Sequence, residues 1–339
     1  MRASVRHFPK MHWRFPRYAC VLTLSLAISM PALSAIAFDQ ATSTTGNTAS
    51  LSWSHTVGVG TNRILVVGVS IRNAGRTVSN ITYAGLSLTR LGFRNSGGNT
   101  VRMEMWYLLG PPQGTANVTV TLSAAANVVA GGASYFGVDP TVPFGTFTSA
   151  TASSTTASTT VTSATGEIVM DVVAAQGTSW FLTIGGSQTA QWNAGTGTAP
   201  GDVRGASSRE PGALSVTMSW TLLVSRPWAI GAAPLKPAPD PNLILTLSQN
   251  DGTPPPGTIV TYTMTYQNAG LGQATSTLIT LPVPPNTSYE ANSVLLNGVA
   301  KTDSPDADEV TLSGSTITVN LGGVPTGGSG TITYKVMVQ

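Results

Sequence analysis

Few residues in this chain have the chemistry to break a bond. From Phe38 onward there is one histidine, His55, and no cysteine; His7, His12 and Cys20 all lie nearer the N-terminus. A Cys–His pair is therefore excluded from that part, and a Ser–His–Asp triad would have to use His55 as its base. His55 follows Leu51 and Trp53 at period two in LSWSHTV, on an apolar strand face, which favours a packed histidine over a catalytic one. No G-x-S-x-G elbow, no Gly-rich phosphate loop with lysine and no zinc-ligand spacing occurs. Glycoside hydrolysis needs two carboxyl groups facing one bond. Glu167 and Asp171 come nearest, on one strand face with Val169 between them, while Glu104 stands alone beside Arg102. In so sparsely charged a chain such acids more often make cross-strand pairs or face water. No catalytic residue is assigned, and the chain is expected not to be an enzyme.

Two further groupings could bind rather than react. Trp180 and Trp192 lie in GTSWFLTIGGSQTAQWNAGTG, among Gln188, Gln191 and Asn193. An exposed indole can stack on a sugar ring while neutral amides hydrogen-bond its hydroxyls; the competing reading makes both rings core or loop anchors. Asp303, Asp306, Asp308 and Glu309 form the one dense acidic run. Calcium wants many oxygens, and crowded loop carboxylates can supply several, although the spacing is not that of an EF-hand loop. A solvated acidic turn is the alternative. Apart from calcium no cofactor is expected.

These side chains need a framework, and composition points to one. Charged residues are 9% of the chain, against roughly 25% in an ordinary soluble domain. Gly, Ser, Thr, Ala and Val replace them, as in all-β exported modules. NRILVVGVSIR, residues 62–72, places Leu65, Val67, Val69 and Ile71 on one face and Ile64, Val66 and Gly68 on the other. A strand apolar on both faces and rich in β-branched residues belongs at the centre of a sheet with something packed over it. Period-two segments recur in VRMEMWYLL, NVTVTL, EIVMDVVA and LSVTMSWTL, and none repeats apolar residues at helical spacing over three turns. Residues 38–236 therefore read as a large jelly-roll-like β-sandwich. The low-complexity run TSATASSTTASTTVTSAT, 148–165, reads as a solvated edge strand and loop rather than a linker, because an apolar strand follows it directly.

Residues 1–37 read as a signal peptide. Arg2, Arg6, Lys10, Arg14 and Arg17 precede an apolar run from Val21 to Leu33, which closes at Ala35-Ile36-Ala37, a pattern suited to signal peptidase. The run is shorter than the roughly 20 apolar residues of a spanning helix, so no membrane span is expected after cleavage. The formal charge of +3 belongs to this leader: without it 12 basic side chains face 14 acidic ones, a net −2. The basic pI thus gives no ground for a nucleic-acid partner. Secretion, display at the cell surface or residence in the periplasm are the compartments implied.

Leu235–Asn242, LKPAPDPN, is the clearest boundary, with 237–242 a stiff proline-rich linker. In residues 243–339, GTIVTYTMTYQN alternates inward Val260, Tyr262, Met264 and Tyr266 with outward threonines. Several short strands of this kind in about 100 residues suggest an immunoglobulin-like sandwich. Here PNLILTLSQNDGTPPPGTIVTYTMTYQNAGLGQAT, LPVPPNTSYEANSVLLNGV, DSPDADEV and GTITYKVMV resemble the bacterial surface repeat called domain of unknown function 11, over nearly all of Leu243–Val338. The resemblance implies an extracellular Ig-like module with no activity of its own. This copy departs from the family at Ile279-Thr280-Leu281-Pro282, where an aspartate is usual. Residues 38–236 resemble, more distantly, uncharacterised modules found beside such repeats in exported bacterial proteins. The expectation is a non-enzymatic structural or adhesive protein of the cell surface or extracellular space. A carbohydrate-binding protein and a polysaccharide hydrolase or lyase are the alternatives, and surface glycans or envelope proteins the partners.

Overall fold

The computed structural model describes residues 35–177 and 181–339. All but the last three residues of the expected signal peptide lie outside the described residues, as does Trp180. The protein is all-β, and its chain divides into two units, one ending at Ala238 and the other running from Pro239 to Gln339.

The first unit is built from two sheets, each drawn from one contiguous half of the chain. The first half supplies β1 (Ala37–Val57), β2 (Ile64–Arg72), β3 (Val78–Tyr83), β4 (Leu86–Ser87), β5 (Thr89–Asn95), β6 (Val101–Leu109) and β7 (Gly114–Phe136). They pair in the order β4-β3-β7-β2-β6-β5, with β1 also on β7. The second half supplies β8 (Thr148–Val161), β9 (Ile168–Gln176), β10 (Thr183–Ile184), β11 (Thr189–Gly195), β12 (Val203–Pro211) and β13 (Val216–Leu235). Their order is β10-β13-β9-β12-β11, with β8 on β13. Each sheet thus pairs strands from the start of its half with strands from its end, β2 lying between β7 and β6 and β9 between β13 and β12. The low-complexity segment forms β8, whose one partner is β13.

The apolar patterning explains the layering. β2 is central, and Ile64 to Ile71 are all buried. Ile64 and Val66 face the other sheet, meeting Met170, Val172 and Ala174 of β9 in the middle core. Leu65, Val67, Val69 and Ile71 face outward, yet they are covered. The β1/β7 ribbon bends at an irregularity between Thr48 and Ser50 and lays Leu51, Trp53, Val118, Val120 and Leu122 over them. The β8/β13 ribbon bends likewise between Thr221 and Arg226 and lays Val216, Met218, Trp220 and Leu222 over Val169, Val173 and Ala175. Three apolar cores therefore separate four layers. Each Val, Leu or Ile fully buried this way contributes roughly 1.5–3 kcal/mol.

The second unit contains β14 (Leu243–Gln249), β15 (Ile259–Asn268), β16 (Ala274–Pro282), β17 (Thr287–Tyr289), β18 (Leu295–Leu296), β19 (Val299–Ala300), β20 (Val310–Ser313), β21 (Thr316–Val324) and β22 (Ser329–Val338). One sheet runs β14-β15-β22-β18-β19 with β17 also on β22; the other runs β16-β21-β20. Val260, Tyr262, Met264 and Tyr266 point into the core between them. Asn268 is fully buried. Its Oδ1 accepts from the amides of Asn242 and Gly270 at 3.0 Å, and its Nδ2 donates to the carbonyls of Gly272 and Val324. A Cβ on Gly270 would lie 2.3 Å from the Asn242 nitrogen, so only glycine admits this clasp.

Candidate functional site

His55 does find a serine and an aspartate, but in the wrong order for catalysis. Ser134 Oγ donates to Asp39 Oδ2 at 2.7 Å and lies 3.1 Å from His55 Nε2. On the other side His55 Nδ1 is 2.7 Å from Thr42 Oγ1, which accepts from Trp53 Nε1 at 3.0 Å. The only arrangement that satisfies every group runs one way: Trp53 to Thr42 to His55 Nδ1, then His55 Nε2–H to Ser134 to Asp39. Histidine here gives a proton to serine, whereas a nucleophile needs a base that takes one. Ser134 is wholly buried. Burial holds the imidazole pKa below its ordinary value, opposed by the charge of Asp39, so His55 stays neutral. His55 is a packing residue in a closed network.

The carboxyl pair is also dissolved by the fold. Glu167 sits in the turn before β9, where it accepts from Ser163 Oγ at 2.7 Å and the Ala164 amide at 2.9 Å. Asp171 is fully buried under the β13 flap. It accepts from Trp220 Nε1 at 2.6 Å, the Ser208 amide at 2.6 Å and Ser208 Oγ at 2.9 Å. Burial with no cation beside it pushes its pKa up to about 7, against those three donors. Glu104 is as deeply buried, yet Arg102 Nε meets its Oε1 at 2.6 Å and Trp106 Nε1 donates to its Oε2 at 3.0 Å. Glu104 and Asp171 are closed off from solvent, and Glu167 is tied to its own turn.

The expected aromatic platform changes role. Trp192 is 6% exposed and belongs to the middle core. Its indole lies flat over two bare backbones: a Cβ on Gly131 would be 2.5 Å from Nε1, and one on Gly68 2.9 Å from Cζ2. The amides chosen as sugar ligands are spent inside the fold. Gln188 donates to Ser208 Oγ and accepts from the Ser219 amide. Gln191 joins Tyr135 to Ser207. Asn193 closes a two-way clasp with Leu182, accepting from its amide and donating to its carbonyl. Polar composition around Trp192 suggested weak packing demand; the glycines that make room for the ring lie on β2 and β7, beyond the reach of a local reading.

The acidic run likewise caps its own loop. Asp303 accepts from Tyr289 Oη at 2.6 Å and the Asn292 amide at 2.7 Å. Asp306 accepts from Thr302 Oγ1 and the Asp308 amide; Asp308 accepts from the amides of Thr302 and Val310. Glu309 pairs with Lys301 at 2.5 Å. Among the described residues no group of three or more acids, histidines or cysteines converges as metal ligands. The calcium expectation gives way to a turn held by its own carboxylates. A shallow open depression on the second unit, lined by Gln273, Thr275, Ser276, Leu278 and Asn320 among others, carries no titratable side chain.

One constellation escaped the sequence reading. Arg102 stacks on Phe93 at 3.9 Å to the ring centroid, and Arg90 lies over both Phe93 and Trp106 at 5.1 and 5.9 Å. Its signal was present as Arg90-x-x-Phe93-Arg94 and Arg102-x-Glu104-x-Trp106, on two strands whose adjacency the sequence does not announce.

No protein-family model matches the chain, and no curated protein matches it at a significant level. Among the described residues no helix is long and apolar enough to cross a membrane.

Proposed function

We propose that this chain is a non-enzymatic exported module, structural or adhesive, that presents chemically quiet β-faces outside the cell. The observation carrying this is the commitment of every candidate reactive group: His55, Ser134, Asp39, Glu104, Asp171 and Glu167 are all held by structural hydrogen bonds, four of the six fully out of solvent. A hydrolase or lyase would need at least one acid or base with room beside it for a substrate. The sugar-stacking alternative relied on Trp180 and Trp192 together, and the second ring serves the core. Export rests on the basic-then-apolar leader, and extracellular display on the likeness of residues 243–338 to a surface repeat.

The test is turnover. Purified protein incubated with neutral and acidic polysaccharides and with simple esters is expected to release no product above the blank. Reproducible product formation, lost in Asp171→Asn or His55→Gln variants that still fold, would overturn the reading. Mass spectrometry of the secreted chain should find Phe38 at its N-terminus.

A further inference from the structure

We propose that the second unit carries a binding site for a stretch of neutral polysaccharide, in the depression beside the broken ladder of β16 and β21. The proposal goes beyond the exported, non-enzymatic reading, which stands whether or not this site is filled. The depression measures about 510 Å³, within the roughly 300–1,000 Å³ of small-ligand sites.

Three departures from a regular sheet coincide there. The β16/β21 register slips twice, between Ala274 and Thr277 and between Thr277 and Leu278. Thr275 and Ser276 are both exposed between buried Ala274 and Thr277, so an extra residue turns two successive side chains outward where a regular strand would alternate them. Ser276 holds a left-handed φ of 53°. Among the described residues the other non-glycine residues at positive φ are asparagines, apart from Ala84, so serine sits here against its backbone preference. Next to it, on the core side, Thr277 is 8% exposed and its Oγ1 has no hydrogen-bond partner among the described residues. A valine would suit that core position better. Strain and an unpaired buried hydroxyl held at one place mark a backbone shaped for something other than packing.

The lining is neutral and unengaged. Around Trp192 the carboxamides are tied up by the fold itself. Here Gln273, Thr275 and Ser276 are exposed, and their side chains make no hydrogen bond among the described residues. Asn320 Oδ1 accepts from the Gly322 amide at 3.0 Å, which leaves its Nδ2 to donate outward. Leu278, 51% exposed, supplies apolar surface. Gly322 and Gly323 leave the backbone bare beside it, and a Cβ on Gly323 would lie 2.5 Å from Gln273 Nε2.

This chemistry selects the occupant. Carboxamides and hydroxyls both give and accept hydrogen bonds, as sugar hydroxyls require, and an aliphatic side chain suits the C–H face of a ring. No titratable side chain lines the depression, so an ion or a nucleic acid would find no counter-charge. An added peptide strand needs an unbroken edge, which the double slip removes. A wholly apolar ligand would strand Gln273, Thr275, Ser276 and Asn320 without partners. A shallow site, open at its rim, fits the middle of a long polymer rather than an enclosed small molecule.

The experiment uses residues 38–339 and measures binding to immobilised dextran, mannan, laminarin and polygalacturonate. The expected result is binding to at least one of the three neutral polymers and not to polygalacturonate. Gln273→Ala and Leu278→Ala, both at exposed positions, should each weaken it about fivefold, the scale of one lost contact. Ser276→Gly relieves the left-handed strain, so it should hold or raise the melting temperature and still weaken binding. Lys335→Gln, on the other sheet of the unit, should leave binding unchanged. No binding to any neutral polymer, equal binding to polygalacturonate, insensitivity to all three lining variants, or an equal loss in Lys335→Gln would each overturn the proposal. New reducing ends in the bound polymer would overturn the non-enzymatic reading and leave the site standing; absence of binding without cleavage would do the reverse.

Discussion

The two halves of the large unit are the same construction carried out twice. β1, β2, β6 and β7 have counterparts in β8, β9, β12 and β13, with the same neighbours in each sheet. Even the ribbon bends correspond: β1 residues Thr48 and Ser50 face β7 residues Ala126 and Thr121, and β8 residues Ser154 and Thr156 face β13 residues Arg226 and Thr221. Position n of β7 thus matches n plus one hundred of β13, which aligns Gly131 with Gly231 and Val120 with Trp220. The same reasoning through the ladders aligns Val67 with Asp171, Arg102 with Arg204 and Glu104 with Ala206.

Both halves bury one carboxylate against an indole N–H, Glu104 with Trp106 and Asp171 with Trp220, but on different strands and with different charge balance. The first half neutralises its acid with Arg102; the second leaves Asp171 without a cation. The two acids occupy non-equivalent places in the repeated frame, so the side chains beside each one, not the shared backbone, decide where a buried carboxyl is accommodated.

The sharpest way to break this comparison is Arg102→Ala. It would leave Glu104 charged and uncompensated in the core, so urea unfolding should show a loss of about 3–5 kcal/mol. Adding Glu104→Ala, the residue found at the matching place in the second half, should recover much of it. A single variant as stable as the parent would mean the ion pair is idle.

Next comes pH. Folded Asp171 keeps a proton that the unfolded chain releases near 3.8, since its folded pKa is about 7. Its contribution is complete below 3.8 and is lost as pH rises toward 7, a change of a few kcal/mol. Asp171→Asn should flatten that slope in unfolding midpoints measured between pH 4 and 8; an unchanged slope would place the titration elsewhere.

The first half should lean the other way. His55 is held neutral, below the ordinary 6.5. Its contribution is complete above that pH and falls as the solution acidifies, because the unfolded imidazole gains a proton more readily. His55→Gln should blunt the acid limb in unfolding midpoints measured below pH 6.5; an unchanged limb would place that titration elsewhere. Smallest of all is the acidic loop: millimolar calcium should leave the melting temperature of the parent and of Asp308→Asn unmoved, because these carboxylates already cap amides. A rise with calcium in the parent alone would restore a metal site.

Much of the framework was legible in advance. The strand from Ile64 and the inward row Val260, Tyr262, Met264 and Tyr266 follow from period-two patterning, and the edge character of 148–161 from a low-complexity run set directly before an apolar strand. The duplication was not legible, because the halves share register and irregularities but few residues beyond Val-Arg at 101–102 and 203–204. Nor was the burial of Trp192, whose seat is made by the missing side chains of Gly68 and Gly131.

Alternation of apolar and polar residues is a local property, so the sequence by itself determined that these segments are strands and which side chains share a face. Which core each face fills, and what each of the few ionisable groups touches, depends on ladders joining residues far apart in the chain. Ser134 reaches Asp39 across 95 positions and Trp220 reaches Asp171 across 49. Only the bends and registers of the tertiary structure could bring those atoms together, and by doing so they turned an apparent catalytic inventory into internal scaffolding.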